Sequence, residues 1–232
     1  IILHFSIYIM KEVIMKKSLF WLALIVGIVA LIGSCAKKDD TTTAATVTPF
    51  TSTTTAAGSI TVGSVAMSGT YVSDCNTTGV AAAVSGGYFP SDIVANRDVL
   101  VVTGNDNVSQ ETHFYTDTTC STLSGYSKNG WDNFTVGDAS GDYYKVTYQE
   151  LGYKNKAGTA VWEAFYENYF STNNITASGT TIDLVVGTEY DVGGSGSSYM
   201  NLFFVSSTIA RYGEGSTSSY PTAMDSLEMT KQ

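Results

Sequence analysis

Charge is scarce in this chain: 14% of its 232 residues are Asp, Glu, Lys or Arg, against about a quarter in an average globular protein. What charge there is leans acidic, with 12 basic residues against 21 acidic and a net charge of −9. No basic patch occurs, which excludes nucleic acid from the expected partners. Histidine is scarcer still: there are two, and only His113 lies beyond residue 35. Nucleophilic hydrolysis needs a nucleophile, a base and an orienting acid. His113 stands in an extended run with no Gly-x-Ser-x-Gly motif to serve, and reads as a surface strand residue. Cysteine is limited to Cys35, Cys75 and Cys120, with no CxxC spacing and no neighbouring His, so neither zinc nor redox chemistry is indicated. The oxygen-rich stretches at 105–107 and 138–142 lack EF-hand spacing and read as turns. Glu163 and Glu167, placed on one strand, would stand about 13 Å apart, too far for paired-carboxylate glycoside hydrolysis. No enzyme, cofactor or metal site is expected.

What is present is organised in three stretches, 1–34, 35–58 and 59–232. Within the first, Lys16 and Lys17 precede an unbroken apolar run over 19–32, with the start at Met15 or Met10 and the residues before it read as upstream sequence. Fourteen residues fall short of the ~17–25 needed to span a bilayer, and the flanks match a cleaved export signal. Leu31-Ile32-Gly33-Ser34-Cys35 resembles the lipobox of bacterial lipoproteins: an aliphatic residue three before the cysteine, then two small ones. The resemblance implies diacylglyceryl transfer to the Cys35 thiol, cleavage before it and acylation of the new amine. Two or three acyl chains, palmitate among them, give a stable anchor where one would not. The residue after Cys35 is not Asp, and Lys38-Asp39-Asp40 resembles the export signal of surface lipoproteins. The expected address is the outer membrane, with the face left open and the bilayer itself as first partner.

Residues 41–58 are mostly Thr, Ala and Ser, without apolar periodicity, and read as a flexible stalk. From Cys35 onward 9 basic and 20 acidic residues remain, a surface suited to solubility. Beyond residue 58 come nine β-like runs: 68–73, 98–103, 109–115, 126–134, 143–153, 160–170, 181–190, 199–206 and 226–231. Turn residues separate them. Gly104-Asn105-Asp106-Asn107 is a hairpin signal, and Gly193-Gly194-Ser195-Gly196 reads as another break. No amphipathic helix longer than about ten residues stands out. The expected fold is all-β, an antiparallel barrel or sandwich of about 8–10 strands. Alternation puts Tyr144, Val146 and Tyr148 on one face of their strand, and Trp162, Ala164, Tyr166 and Phe170 on one face of theirs. Trp162, Tyr166 and Phe203 are the candidate ligand-facing residues.

With Cys35 acylated, Cys75 and Cys120 remain as a pair in an oxidising compartment and should bond to each other. Gly69-Thr70-Tyr71-Val72-Ser73-Asp74-Cys75, Phe114-Tyr115-Thr116-Asp117-Thr118-Thr119-Cys120 and the closing 220–231 stretch resemble motifs of uncharacterised lipocalin-like bacterial lipoproteins. Tyr71 stands where that pattern has Trp. The resemblance implies a barrel whose first strand is stapled to its third, and no known activity. Two functions follow as expectations: an envelope interaction module for a protein or glycan, and a carrier of a small apolar or aromatic ligand.

Overall fold

In a computed structural model, residues 50, 52–194, 196–224 and 227–232 are described. The expected export segment, the lipobox-like run and Cys35 lie outside them. The chain folds as β1 (Ile60–Val62), β2 (Val65–Met67), β3 (Thr70–Ser73), α1 (Val80–Ser85), β4 (Ala95–Val102), β5 (Val108–Tyr115), β6 (Leu123–Ser140), β7 (Tyr143–Ala157), α2 (Ala160–Thr172), β8 (Thr176–Ala177), β9 (Thr180–Thr181), β10 (Glu189–Gly193), β11 (Ser198–Val205), β12 (Ile209–Tyr212) and β13 (Met229–Lys231). Eight of these, β3 to β7 and β11 to β13, pair antiparallel in chain order, and β13 returns to β3. The result is a closed up-and-down barrel, the form of antiparallel sheet that leaves no edge. The β4–β5 joint is the hairpin expected at 104–107, closed by Thr103 N–H donating to Asn107 O at 3.0 Å.

Alternation sorts the barrel residues as expected. Val146 and Tyr148 are buried in the interior cluster with Tyr144 beside them. Tyr71, Leu100, Val108, Trp131, Phe203 and Met229 join them from the other strands. The strand β7 serves two partners in succession: β11 lies along Tyr144–Gln149 and β10 along Tyr153–Lys156. Both run antiparallel to it, so the glycine-rich stretch after β10 interrupts a strand without reversing the chain. The glycines permit a close approach instead. A Cβ on Gly194 would fall 2.5 Å from Gly152 Cα and from Leu151 O.

Two strand expectations are corrected. The run at 160–170 belongs to helix α2, thirteen residues long. Trp162, Tyr166 and Phe170 recur every fourth residue and make one helical face, while Ala160, Ala164, Glu163 and Glu167 are good helix formers. Thr159 caps the start, its Oγ1 accepting from Trp162 N–H at 3.1 Å. Period two and period four both fit Trp162 and Tyr166, and the cap decides between them. The run at 181–190 keeps only its ends in strands. Its backbone is satisfied by α2: Leu184 N–H donates to Glu167 at 2.9 Å and Val186 N–H to Glu163 at 3.0 Å. On a helix those two carboxylates are neighbours rather than ~13 Å apart, and they act as backbone acceptors.

Candidate functional site

The interior of the barrel is one place where a site could form. At one end the β1–β2 hairpin lays Ile60, Val62 and Met67 onto the interior cluster. Beneath them Trp131 stacks on Tyr148 at 4.3 Å, Phe203 stacks on Tyr212 at 5.5 Å, and Trp131 meets Tyr212 edge-on at 5.6 Å. At the other end α2 drives Trp162 inward. Its indole donates to Asn155 Oδ1 at 2.8 Å, stacks on Tyr166 at 4.6 Å and lies 5.2 Å from Phe114. The fit depends on Gly125, where a Cβ would stand 2.2 Å from the indole. Of the three candidate ligand-facing residues, Trp162 and Tyr166 therefore come together on a helix, while Phe203 sits in a separate cluster. Trp162 and Phe203 are both 0% exposed.

Between the two apolar ends runs a polar belt. Asp98, Thr112, Ser127 and Asn155 are successive cross-strand partners on the inner face. Thr112 donates to Asp98 at 2.8 Å and Asn155 to the Tyr153 hydroxyl at 3.3 Å. The Asn129 side-chain oxygen is buried there without a partner. A cavity of about 10 Å³ lies against Asp98, Tyr212, Leu227 and Met229, room for about one water.

A second concentration of polar chemistry lies on the opposite, outer face of β5 and β6, and the sequence reading missed it. His113 is not a surface residue: it is 4% exposed, and its Nε2 lies 2.7 Å from Glu111, itself 0% exposed. Lys128, 7% exposed, stands 3.9 Å from Glu111 and 3.1 Å from Glu189. Glu189 also accepts from the Tyr126 hydroxyl at 2.7 Å and pairs with Lys154 at 3.5 Å. The charges thus alternate, Glu111, Lys128, Glu189, Lys154, across four strands. Burial would raise the Glu111 pKa, but hydrogen bonds from His113 and Thr54 and the charges of His113 and Lys128 outweigh it and hold it below its ordinary value. The reading failed because alternation assigns the outer face to water, and here a strap covers it.

That strap is the end of the expected stalk. Phe50 meets the His113 ring edge-on at 4.9 Å and packs on Val72, Val99 and Val101. Ser52 Oγ donates to both Glu111 oxygens at 3.1 and 3.2 Å, and the Thr54 hydroxyl donates to Glu111 as well. Lys128 Nζ donates to the hydroxyls of Thr53 at 2.7 Å and Thr54 at 3.1 Å. Ordered packing of the body therefore begins before residue 59. The Ser52 and Thr54 hydroxyls address the carboxylate and that of Thr53 the Lys128 ammonium, so they do not supply the hydroxyl–histidine contact of an activated nucleophile. Among the described residues no three His, Cys, Asp or Glu side chains are placed to hold a metal ion.

The disulfide joins Cys75 to Cys120, just past the ends of β3 and β5, the first and third strands of the barrel ring. The motif residues around it explain themselves. Ser73 Oγ accepts from Asp98 N–H at 2.9 Å, tying the chain before Cys75 to β4. Asp117 gathers the loop before and after Cys120. It accepts from Thr119 N–H at 2.9 Å, Thr119 Oγ1 at 2.6 Å, Ser121 Oγ at 3.0 Å and Thr122 N–H at 2.6 Å. The Thr119 hydrogen bond, helped by those from Ser121 and Thr122, holds its carboxyl well below the usual range.

No protein-family model matches the chain, and no curated protein matches it.

Proposed function

We propose that this protein is a lipid-anchored module of the bacterial cell envelope that works by binding a protein or glycan, without catalysis and without an enclosed apolar ligand. The observation that carries this reading is the filling of the barrel by its own side chains. Trp131, Tyr148, Phe203 and Tyr212 occupy one end and Trp162 the other. Apolar carriers need a preformed cavity of ~300 Å³ or more, and the ends where aromatic ligands would sit are taken. The anchor rests on the run Leu31–Cys35, with acylated Cys35 in the outer membrane. The Cys75–Cys120 bond supports it, because such bonds persist outside the reducing cytoplasm.

A second reading, carriage of a small ligand, draws on the barrel itself and on the belt at Asp98, Thr112, Ser127 and Asn155, where the unpartnered Asn129 oxygen asks for a donor. Native mass spectrometry of the gently purified protein separates the two. An empty protein with partners recovered from envelope extracts supports the first; a releasable small molecule supports the second. For the anchor, radiolabelled palmitate should mark the wild type, and Cys35→Ala should abolish the label. A label that survives the substitution overturns the anchor.

A further inference from the structure

The strap offers an inference of its own, because the forces that hold it are of an unusual kind. Phe50, Ser52, Thr53 and Thr54 join no strand of the barrel. Among the described residues, the first backbone hydrogen bond tying this segment to the wall is Ala57 N–H to Val102 O at 2.9 Å. Before that point the hold consists of three side-chain hydroxyls and one aromatic ring, Phe50, which meets His113 edge-on and packs on Val72, Val99 and Val101. Docking them takes the Glu111 carboxylate and the Lys128 ammonium out of water, a cost that the pair's mutual attraction only roughly offsets. Lifting the strap rehydrates both charges at once. The closed state is therefore balanced against an open one that regains hydration and chain entropy.

We propose that Phe50, Ser52, Thr53 and Thr54 form a releasable latch, closed onto Glu111, His113 and Lys128 and able to lift away while the barrel stays folded. Opening frees the chain from Phe50 to Ala57. Seven residues of extended chain add up to roughly 25 Å of tether and bare a groove with a charged end at Glu111 and an apolar end at Val72, Val99 and Val101. The latch itself is independent of lipidation; only its effect on the body's reach rests on the proposed anchor at Cys35.

The sequence provides a reporter. Phe50 is the sole aromatic residue between Trp21 and Tyr71, and it is half-buried against His113 when the latch is closed. Chymotryptic cleavage after Phe50 in the intact oxidised protein therefore follows the open population while closing outpaces cleavage. The wild type should be cut at least ten times more slowly than a free peptide spanning the same residues. Thr54→Val removes the bridging hydroxyl at constant shape, and Glu111→Gln removes the charge. Each should speed cleavage about tenfold with the melting temperature little changed, while Thr54→Ser should cut like the wild type. A wild-type rate equal to the free peptide's would overturn the closed state. Rates unmoved by both T54V and E111Q, or cleavage at Phe50 rising only together with cleavage inside β4–β6, would overturn the latch.

Discussion

The two faces of the sheet formed by β4, β5 and β6 are both buried, by opposite means. The inner face carries Leu100, Val102, Val108, Phe114 and Trp131 and is closed by apolar packing. The outer face carries Glu111, His113, Tyr126 and Lys128, closed by ion pairs and the hydroxyls of a passing strap, beside a small apolar patch at Val99 and Val101 under Phe50. Burial alone thus says little about how firmly a surface is closed. Apolar area removed from water stabilises by ~25 cal/mol per Å², whereas a buried ion pair comes close to breaking even. The inner face should hold the fold together, and the outer face should adjust it.

The largest test of this contrast is Trp162→Ala, which empties one end of the barrel and leaves the Asn155 oxygen without its donor. A loss of about 5 kcal/mol is expected by urea denaturation, at the upper end for such truncations; a loss under about 2 kcal/mol would mean that α2 is not a structural closure. Cys75→Ser comes next. The bridged cysteines are 45 residues apart, and chain entropy assigns the bond about 4 kcal/mol. The difference from wild type should vanish in reductant, and similar melting in both conditions would show that the staple contributes nothing.

A pH scan divides the faces further. Burial pushes Tyr148 on the inside, and Tyr115 beside the disulfide loop, up to about 12. Their contribution is complete below the ordinary tyrosine value of about 10 and is lost as pH rises from there toward 12, so thermal stability should fall across that window. Glu111 and Asp117 move the other way. Held below their ordinary values, they contribute fully above about pH 4–4.5, and that contribution is lost as pH falls further. Circular dichroism melts at pH 3, 7 and 11 would record both losses, and a flat profile would contradict both. On the outer face, Glu111→Gln should cost about 1 kcal/mol, the worth of an ordinary hydrogen bond, because the strap can lift and let Lys128 meet water. A cost of 3–5 kcal/mol, the range for a broken pair that stays buried, would erase the contrast between the faces. The smallest effect is expected from Asp117→Asn, which loosens the Cys120 loop and should raise amide exchange at Thr119 and Thr122 without unfolding the barrel.

Much of the barrel was legible because period-two alternation and turn residues are local signals. Tyr144, Val146 and Tyr148 went to the inside, and the joint at 104–107 reversed the chain, as their pattern requires. The cysteine pair was legible from the count together with the expectation of export. Helix α2 was not, since Trp162 and Tyr166 satisfy both periods and the deciding cap at Thr159 is a single hydroxyl. The glycine-rich stretch after β10 does separate two strands as expected, but its pattern did not reveal that the chain runs on without reversing, because glycine marks close backbone approach as well as turns. The buried Glu111–His113–Lys128 set was hidden for a different reason. Its members lie on a face that alternation gives to water, and what covers them is a low-complexity Ser/Thr segment some sixty positions earlier in the chain.

The order of the ring also bears on how the molecule forms. Strands β4 to β7 can each pair with the neighbour just made, a succession of hairpins with little chain to close, whereas β3 meets β4 across the connection that holds α1. The final seam is different: Met229 pairs with Ser73, and Lys231 with Tyr71, so the two extremes of the domain must find each other last. Until they do, β3 offers an unpaired edge to any other strand in the vicinity. Early oxidation of Cys75 and Cys120 would hold that edge in place beside β4 while the seam waits to be sewn, which gives the bond a role in the timing of assembly as well as in its endpoint.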